Sequence, residues 1–175
     1  MAFISGITLA EIKPIGKDTK FPAIFFKNNL SKESQTYLGI STKKSFSLKD
    51  ISANLFVIEI FSTYCTSCPK NVPILNTVYD IIENDAELKG KIKVLSIAVG
   101  NTLNEVQSYK KGYRVLFPIA TDTAFAAHKA LGNPRVPYTI FVKKNVKGKC
   151  MVVGSHQGVI DSVDSIINSI RDFLP

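Results

Sequence analysis

Short apolar runs alternate with amphipathic stretches along this chain. Residues 55–61 are apolar except for one acid, and polar residues bound them, which predicts a strand buried on both faces of a parallel sheet. After Cys68, five apolar residues within 72–82 share one helical face, which predicts a helix that ends near Glu87. Residues 93–99 predict the next strand.

The middle of the chain predicts three more elements, two helices and one strand. Thr102 followed three positions later by Glu105 is a capping-box signature, so we expect a helix over 103–112. Residues 117–120 then predict a short strand, and 123–131 predict a short helix.

Both ends of the chain predict antiparallel strand pairs. Two apolar patches, 21–26 and 37–40, predict an N-terminal pair with an exposed connection. Strands predicted over 138–142 and 150–153 flank a Lys-Gly turn that is typical of a hairpin.

A final amphipathic helix is expected after this hairpin, with Asp161 and Asp164 as its caps. The order of elements therefore mixes parallel and antiparallel strands with helices between them, which predicts an α/β fold. The length of 175 residues suits one domain, and we expect a lead-in at 1–20 and a single domain at 21–175.

Charge and composition exclude some classes of function. Lysine and arginine number 22 against 14 acids, but the lysines are scattered in pairs along the sequence and no nucleic-acid-binding module is visible. We therefore expect no nucleic-acid partner.

No apolar run approaches the roughly 20 residues that cross a bilayer. No signal peptide is visible at the start, so if the protein is exported, its leader or anchor lies outside this chain.

The candidate chemistry is the motif Cys65-Thr66-Ser67-Cys68 between a predicted strand and a predicted helix. Unpaired N–H groups and the helix dipole at a helix start favour a thiolate, which makes Cys65 the expected nucleophile. Cys68 lies one helical turn further on and is expected to resolve a mixed disulfide.

Half of a zinc site has the same spacing, so metal binding is an alternative. The remaining candidate ligands are His128, His156 and Cys150, and each stands alone in its own segment. We therefore expect no metal site. Cys150 is expected to be a small buried apolar residue, and the histidines are expected to be surface or hydrogen-bonded residues.

Four features around the motif together resemble the thioredoxin superfamily. Tyr64 stands where thioredoxins have an aromatic residue, and Glu59 has the position of their buried acid. Pro73 matches the proline that kinks the active-site helix, and Val136-Pro137 resembles the family's cis-proline. The resemblance covers about residues 21–174.

The resemblance implies roles for Glu59 and Pro137. Burial in a strand this apolar raises the pKa of a carboxyl, so Glu59 could accept the proton of Cys68. The alternatives are that Glu59 lies at a wet edge or in an ion pair. Thioredoxins often pair this acid with a lysine of the next strand, whereas 94–99 contains no base.

A cis bond before Pro137 would leave the backbone N–H and C=O of Val136 free to pair with an extended substrate beside Cys65. The alternative is a trans proline that opens an ordinary strand. Tyr64, Thr66, Ser67 and Val136 are the expected substrate contacts. For Tyr64, packing in the core is the alternative.

The chain also resembles one branch of the superfamily. Pro137 follows Cys68 by 69 positions, about one strand-helix unit more than in a minimal thioredoxin, and the surplus matches 112–131. This insertion and the N-terminal strand pair resemble TlpA-like thiol-disulfide oxidoreductases and also peroxiredoxins. Peroxiredoxins carry Pro-x-x-x-Thr-x-x-Cys, where this chain has Ile58 and Ser62. Peroxide reduction is therefore disfavoured.

The TlpA-like resemblance implies a thioredoxin-like fold and a reductase of protein disulfides that needs no cofactor beyond its own cysteine pair. It implies protein partners with disulfides or dithiols, including those awaiting haem attachment or copper loading, and an upstream electron donor. It also implies a monomer that is exported, periplasmic or tethered to a membrane. A thioredoxin-like module that binds metal or delivers copper is the competing class.

Overall fold

A computed structural model describes residues 13–174. Its strands and α-helices, in chain order, are β1 (Phe26–Lys27), α1 (Lys32–Leu38), β2 (Ser45–Phe46), β3 (Leu55–Phe61), α2 (Asn71–Asn84), β4 (Ile92–Val99), α3 (Leu103–Gly112), β5 (Ile119–Asp122), α4 (Ala126–Ala130), β6 (Tyr138–Lys144), β7 (Cys150–Gln157) and α5 (Val163–Phe173). Short 3-10 helices cover Leu48–Asp50 and Cys68–Lys70.

A five-stranded mixed sheet in the order β5-β4-β3-β6-β7 forms the centre of the molecule. The central strand β3 is parallel to β4 and antiparallel to β6. Apolar residues of α2, α3 and α5 pack on one face, and those of the N-terminal segments and α4 pack on the other. The predicted mixed sheet flanked by helices is confirmed, and all seven residues of β3 are buried because both faces are covered.

Most predicted elements of the core lie where the hydrophobic pattern puts them. The capping box of Thr102 and Glu105 begins α3 as expected, and β6 and β7 form the expected antiparallel pair. The strand predicted at 117–120 begins two residues later. It forms β5, which pairs with β4 at the edge of the sheet, a placement that the sequence did not predict.

The N-terminal strand pair exists, but its second strand was predicted in the wrong place. β1 pairs with β2 at Ser45–Phe46, whereas Tyr37 and Leu38 end the helix α1. Ser31 accepts a hydrogen bond from the Ser34 N–H at the start of this helix. A left-handed glycine closes the helix, so local capping decided the structure over the short apolar run.

The caps predicted for the last helix were also wrong. Ser162 is the N-cap of α5, and its hydroxyl accepts the Ser165 N–H at 3.2 Å. Asp164 lies inside the first turn, where a carboxylate is favoured by the helix dipole. Serine and aspartate have similar N-cap preferences, so the sequence alone did not separate them.

The segment before the expected domain start runs along the sheet. The Ile15 N–H donates to the Leu131 carbonyl, and the Tyr138 hydroxyl donates to the Ile15 carbonyl at 2.6 Å. Lys20 forms an isolated bridge with Met151. The domain boundary at residue 20 stays a prediction, and residues 1–12 of the expected lead-in lie outside the described part. Among the described helices, none combines the length and apolarity that crossing a membrane requires.

Candidate redox-active site

Cys65 and Cys68 form a disulfide just beyond the carboxyl end of β3, with Cα atoms 5.5 Å apart. Cys68 begins the 3-10 helix that continues into α2, so the pair lies at a helix start as the spacing predicts. Cys65 is partly exposed, whereas Cys68 has no exposed surface. Only the first sulfur is therefore accessible to another protein.

Polar groups surround the Cys65 sulfur on its helix side. The Cys68 N–H donates to the Cys65 Sγ at 3.2 Å, and the Ser67 Oγ lies 3.4 Å from the same sulfur. Both groups can stabilise a negative charge on this sulfur when the disulfide is reduced. Thr66 follows Cys65 directly and is exposed, and within residues 13–174 it forms no hydrogen bond with either sulfur.

The loop before β6 lies against the disulfide. The Val136-Pro137 peptide bond is cis, in agreement with the resemblance. The Val136 carbonyl oxygen lies 3.7 Å from the Cys65 Sγ, and Val136 is partly exposed. A backbone acceptor therefore stands beside the accessible sulfur, where an incoming chain could reach it.

Glu59 lies under the site, in the middle of β3, with 3 % of its surface exposed. Burial raises the pKa of this carboxyl to about 7, although hydrogen bonds from Asn71 and Ser96 act in the opposite direction. The Asn71 amide donates at 3.0 Å and the Ser96 hydroxyl at 3.4 Å. Glu59 is thus neither at a wet edge nor, among residues 13–174, in an ion pair.

Glu59 and Cys68 share the same side of the sheet. Side chains alternate along a strand, so Val57, Glu59 and Phe61 face one way. Val57, Phe61 and Cys68 pack in one buried cluster. The position opposite Glu59 in β4 is Ser96, so the neighbouring strand supplies a hydroxyl where thioredoxins often supply a lysine.

Asn71 is a site residue that the sequence reading missed. It is fully buried, and its side-chain oxygen accepts the Ile160 N–H at 2.8 Å while its amide holds Glu59. Asn71 follows Cys68 by three positions and precedes Leu75 by four, which places it on the buried face of α2. A polar residue on an apolar helical face was the signal available in the sequence.

Asn101 was missed as well. It is fully buried, follows β4, and accepts the Thr63 N–H at 2.9 Å while donating to the Thr63 hydroxyl at 2.6 Å. It therefore fixes the segment between β3 and the disulfide. Its position after a buried strand, at the sheet edge where the strands' carboxyl ends meet, was the available signal.

Tyr64 lies at the rim of the site, with 72 % of its surface exposed, so it is not core packing. Its hydroxyl donates to the carboxylate of Glu105, the N3 residue of the capping box of α3. This bond raises the pKa of Tyr64 and lowers the pKa of Glu105. The aromatic ring, in the residue directly before Cys65, is thereby fixed against the start of α3.

An apolar groove of about 420 Å³ is lined by Tyr64, Val99, Phe125, Pro134 and Val136 among others. Val136 connects it to the disulfide, because its carbonyl oxygen lies against the Cys65 sulfur. Phe125 is 52 % exposed, and its ring lies over Gly100 so closely that a Cβ there would overlap the ring. Gly100 has a φ of +68°, which also favours glycine. The close approach sets the position of Phe125 in the groove wall.

The other candidate residues lie apart from the site or have structural roles. The Nε2 of His128 lies 2.9 Å from the Pro134 carbonyl oxygen, and the Nε2 of His156 lies 2.9 Å from the Val159 carbonyl oxygen. Both are therefore hydrogen-bonded histidines, as expected. Cys150 is a buried free thiol in β7, as predicted. Within residues 13–174, no group of three or more metal-ligating side chains comes together. Pro73 lies in the first turn of α2.

The architecture and the position of the disulfide define a thioredoxin-like fold, and solved structures support this. A thiol:disulfide interchange protein from Bacteroides sp. superposes with a TM-score of 0.65 over 91 % of this chain and 90 % of its own, at 14 % identity. StoA from Bacillus subtilis superposes with a TM-score of 0.60 over 85 % of this chain and 96 % of its own, at 15 % identity.

Sequence relatives give a more specific similarity. The chain is 25 % identical to the thiol-disulfide oxidoreductase ResA of Geobacillus thermodenitrificans over 108 residues, which span 62 % of this chain and 59 % of that protein. It is also 25 % identical to ResA of Bacillus subtilis over 171 residues, 95 % of this chain and 91 % of that protein. No family model matches the chain.

Proposed function

We propose that this protein is a thiol-disulfide oxidoreductase that reduces disulfides of other proteins through Cys65 and Cys68. The observation that carries the proposal is the asymmetry of the pair. Cys65 is accessible and receives the Cys68 N–H, whereas Cys68 is fully buried. Similarity to ResA proteins supports the same class of reaction.

The first step uses the reduced protein. The Cys65 thiolate attacks one sulfur of a substrate disulfide, forms a mixed disulfide with it, and displaces the other substrate sulfur as a thiolate. The Cys68 N–H and the Ser67 hydroxyl lie where they can hold the negative charge before attack. Direct attack by Cys68 is prevented because its sulfur is buried.

The second step releases the substrate. Cys68 loses its proton to Glu59, attacks the Cys65 sulfur and displaces the remaining substrate thiolate, which leaves the Cys65–Cys68 disulfide. A carboxyl whose burial raises its pKa to about 7 can accept a proton near neutral pH and release it again. A dithiol electron donor then reduces the disulfide with two electrons and becomes oxidised itself.

The backbone and the groove beside Cys65 are the proposed substrate contacts. The N–H and C=O of Val136 pair with an extended substrate chain, and Pro137 holds them at the disulfide. Tyr64, Thr66 and Ser67 contact the same chain around the sulfur. The apolar groove at Phe125 takes a nonpolar side chain next to the substrate cysteine, because most of its surface is apolar.

The physiological setting is also proposed. We infer that the protein acts as a monomer outside the cytoplasm, in the periplasm or tethered through a segment beyond this chain. Its partners are proteins that need reduced cysteines, such as those awaiting haem attachment or copper loading. The resemblance to TlpA-like proteins and the excess of basic over acidic residues support this setting.

Trapping of partners tests the proposed function. A Cys68→Ser variant in a Cys150→Ala background cannot complete the second step, so partner proteins should accumulate as mixed disulfides on Cys65. Mass spectrometry identifies them after non-reducing separation. The matched Cys65→Ser variant should trap at least tenfold less. Equal trapping by the two variants would contradict the assignment of the nucleophile.

The direction of electron flow has its own test. The sequence between the cysteines contains no cation to over-stabilise a thiolate, so we expect a potential nearer to that of thioredoxin, about −270 mV, than to a strong oxidant at about −120 mV. Equilibration with dithiothreitol or glutathione buffers measures it. A midpoint near the oxidant value would reverse the direction.

A further inference from the structure

The two ends of the central sheet have different chemistry. β3 runs from Leu55 to Phe61, and the disulfide follows its carboxyl end. Because β6 is antiparallel, Lys143 lies opposite Leu55 at the other end. The turn 145–149 between β6 and β7 therefore projects from the end away from the disulfide, about 20 Å from it along a seven-residue strand.

The fold gathers lysines at this second end that the sequence scatters. Lys20, Lys49, Lys147 and Lys149 line one cleft of about 380 Å³, and all four are exposed. The lining contains no acidic residue. Within residues 13–174, none of these four ammonium groups has a carboxylate at ion-pair distance. No carboxylate of the described residues therefore neutralises their charge by direct pairing.

Exposed apolar side chains accompany these lysines. Val146 stands at the tip of the turn and is fully exposed, and the turn continues directly into Lys147. Phe25, in the segment that lines the other side of the same cleft, is 71 % exposed. We call Phe25, Val146 and the four lysines the basic end.

We propose that the basic end docks on the surface of a bilayer that contains anionic lipids. The four lysines attract the lipid phosphates, and Val146 and Phe25 enter the boundary between headgroups and acyl chains. An anionic bilayer fits because the apolar tips project singly, whereas a protein interface needs a continuous packed core. In this orientation the disulfide faces away from the lipid. The inference does not depend on the redox activity.

Vesicle binding tests the proposal. The purified protein should sediment with vesicles of phosphatidylcholine and phosphatidylglycerol but not with vesicles of phosphatidylcholine alone, and rising salt should weaken binding. A double variant with Lys147→Glu and Lys149→Glu should bind at least tenfold more weakly. The control, Lys32→Glu with Lys111→Glu, changes two exposed helix lysines and makes the same change in net charge. It should retain most of the binding.

The chain contains no tryptophan, so the fluorescence of a single introduced tryptophan can report which end of the molecule meets the lipid. Val146→Trp should shift its emission to shorter wavelength on the phosphatidylglycerol vesicles. Phe125→Trp, in the groove at the opposite end of the sheet, should show no shift. Circular dichroism of each variant verifies that it remains folded.

Three results would overturn the proposal. The first is binding of the wild-type protein to both kinds of vesicle alike or to neither. The second is equal loss in the two double variants, which would mean that only net charge matters. The third is tight binding to polyglutamate without binding to vesicles, which would identify an acidic protein as the partner of the basic end.

Discussion

The side chain of Asn71 donates a hydrogen bond to the buried carboxyl of Glu59 at 3.0 Å. The same side chain accepts the Ile160 N–H, so one residue joins the active-site helix, the central strand and the segment before α5. Neither end of this connection is exposed to solvent. Glu59 is therefore held in a fixed position by neutral donors, and no cation of residues 13–174 pairs with it.

Replacing Glu59 by glutamine should change how stability depends on pH. Well below pH 4.5 the carboxyl is protonated in both the folded and the unfolded chain, so its ionisation does not affect the free energy of unfolding. As pH rises from 4.5 to about 7, the unfolded chain ionises while the folded one stays protonated, and the wild-type protein loses stability. The loss totals roughly 3 kcal/mol above pH 7. Glu59→Gln should remove it.

Denaturant unfolding of the oxidised proteins at pH 5 and pH 8 measures this effect. The difference in unfolding free energy between variant and wild type should move in favour of the variant at pH 8. Glu87→Gln, an exposed position, is the control and should show no such movement. A difference for Glu59→Gln that is the same at both pH values would refute the raised pKa.

Asn71→Ala should destabilise the protein by roughly 2 kcal/mol or more, because the buried Ile160 N–H loses its acceptor and Glu59 loses a donor. The variant should also raise the pKa of Glu59 further, since this hydrogen bond lowers it. Asn84→Ala, an exposed position in the same helix, should cost about 0.5 kcal/mol or less. Equal costs would show that the buried connection is unimportant.

Gly100→Ala should move the Phe125 ring out of the groove wall, because the new Cβ overlaps it. We expect the KM for a protein disulfide substrate to rise about threefold or more with a smaller change in kcat. Phe125→Ala should give the same pattern. Gly39 has a similar φ of +70° but open space around it, so Gly39→Ala reproduces the backbone strain alone. A KM unchanged in Gly100→Ala, or raised equally in Gly39→Ala, would remove the groove from substrate binding.

Cys150→Ala should leave disulfide reduction unchanged. The thiol is buried in β7 and forms no disulfide, and burial raises its pKa, so it stays protonated and unreactive at neutral pH. Insulin reduction by the variant and the wild type provides the comparison. A loss of more than about threefold in a variant that remains folded would give Cys150 a part in the reaction.

The sequence predicted those parts of the molecule that a regular pattern encodes. The buried run at 55–61 and the capping box at Thr102 each produced the expected element. The position of Cys65 and Cys68 between a strand and a helix start followed from the same patterns.

The missed parts depend on contacts between distant segments. Asn71 and Asn101 gain their importance from Glu59 and Thr63, which are 12 and 38 positions away. A lone asparagine in a sequence does not indicate its partner. In the same way, Lys20 and Lys147 are far apart in sequence, and only the fold brings them to one cleft.

The most direct measurement of the central claim is the alkylation of the reduced protein by iodoacetamide across pH, with each cysteine followed by mass spectrometry. Cys65 should react at least tenfold faster than Cys68 and Cys150 at pH 7, and its rate should reach half of its maximum at a lower pH than that of a free cysteine peptide. Reaction of Cys68 as fast as Cys65, or a pH profile for Cys65 like that of the free peptide, would contradict the account.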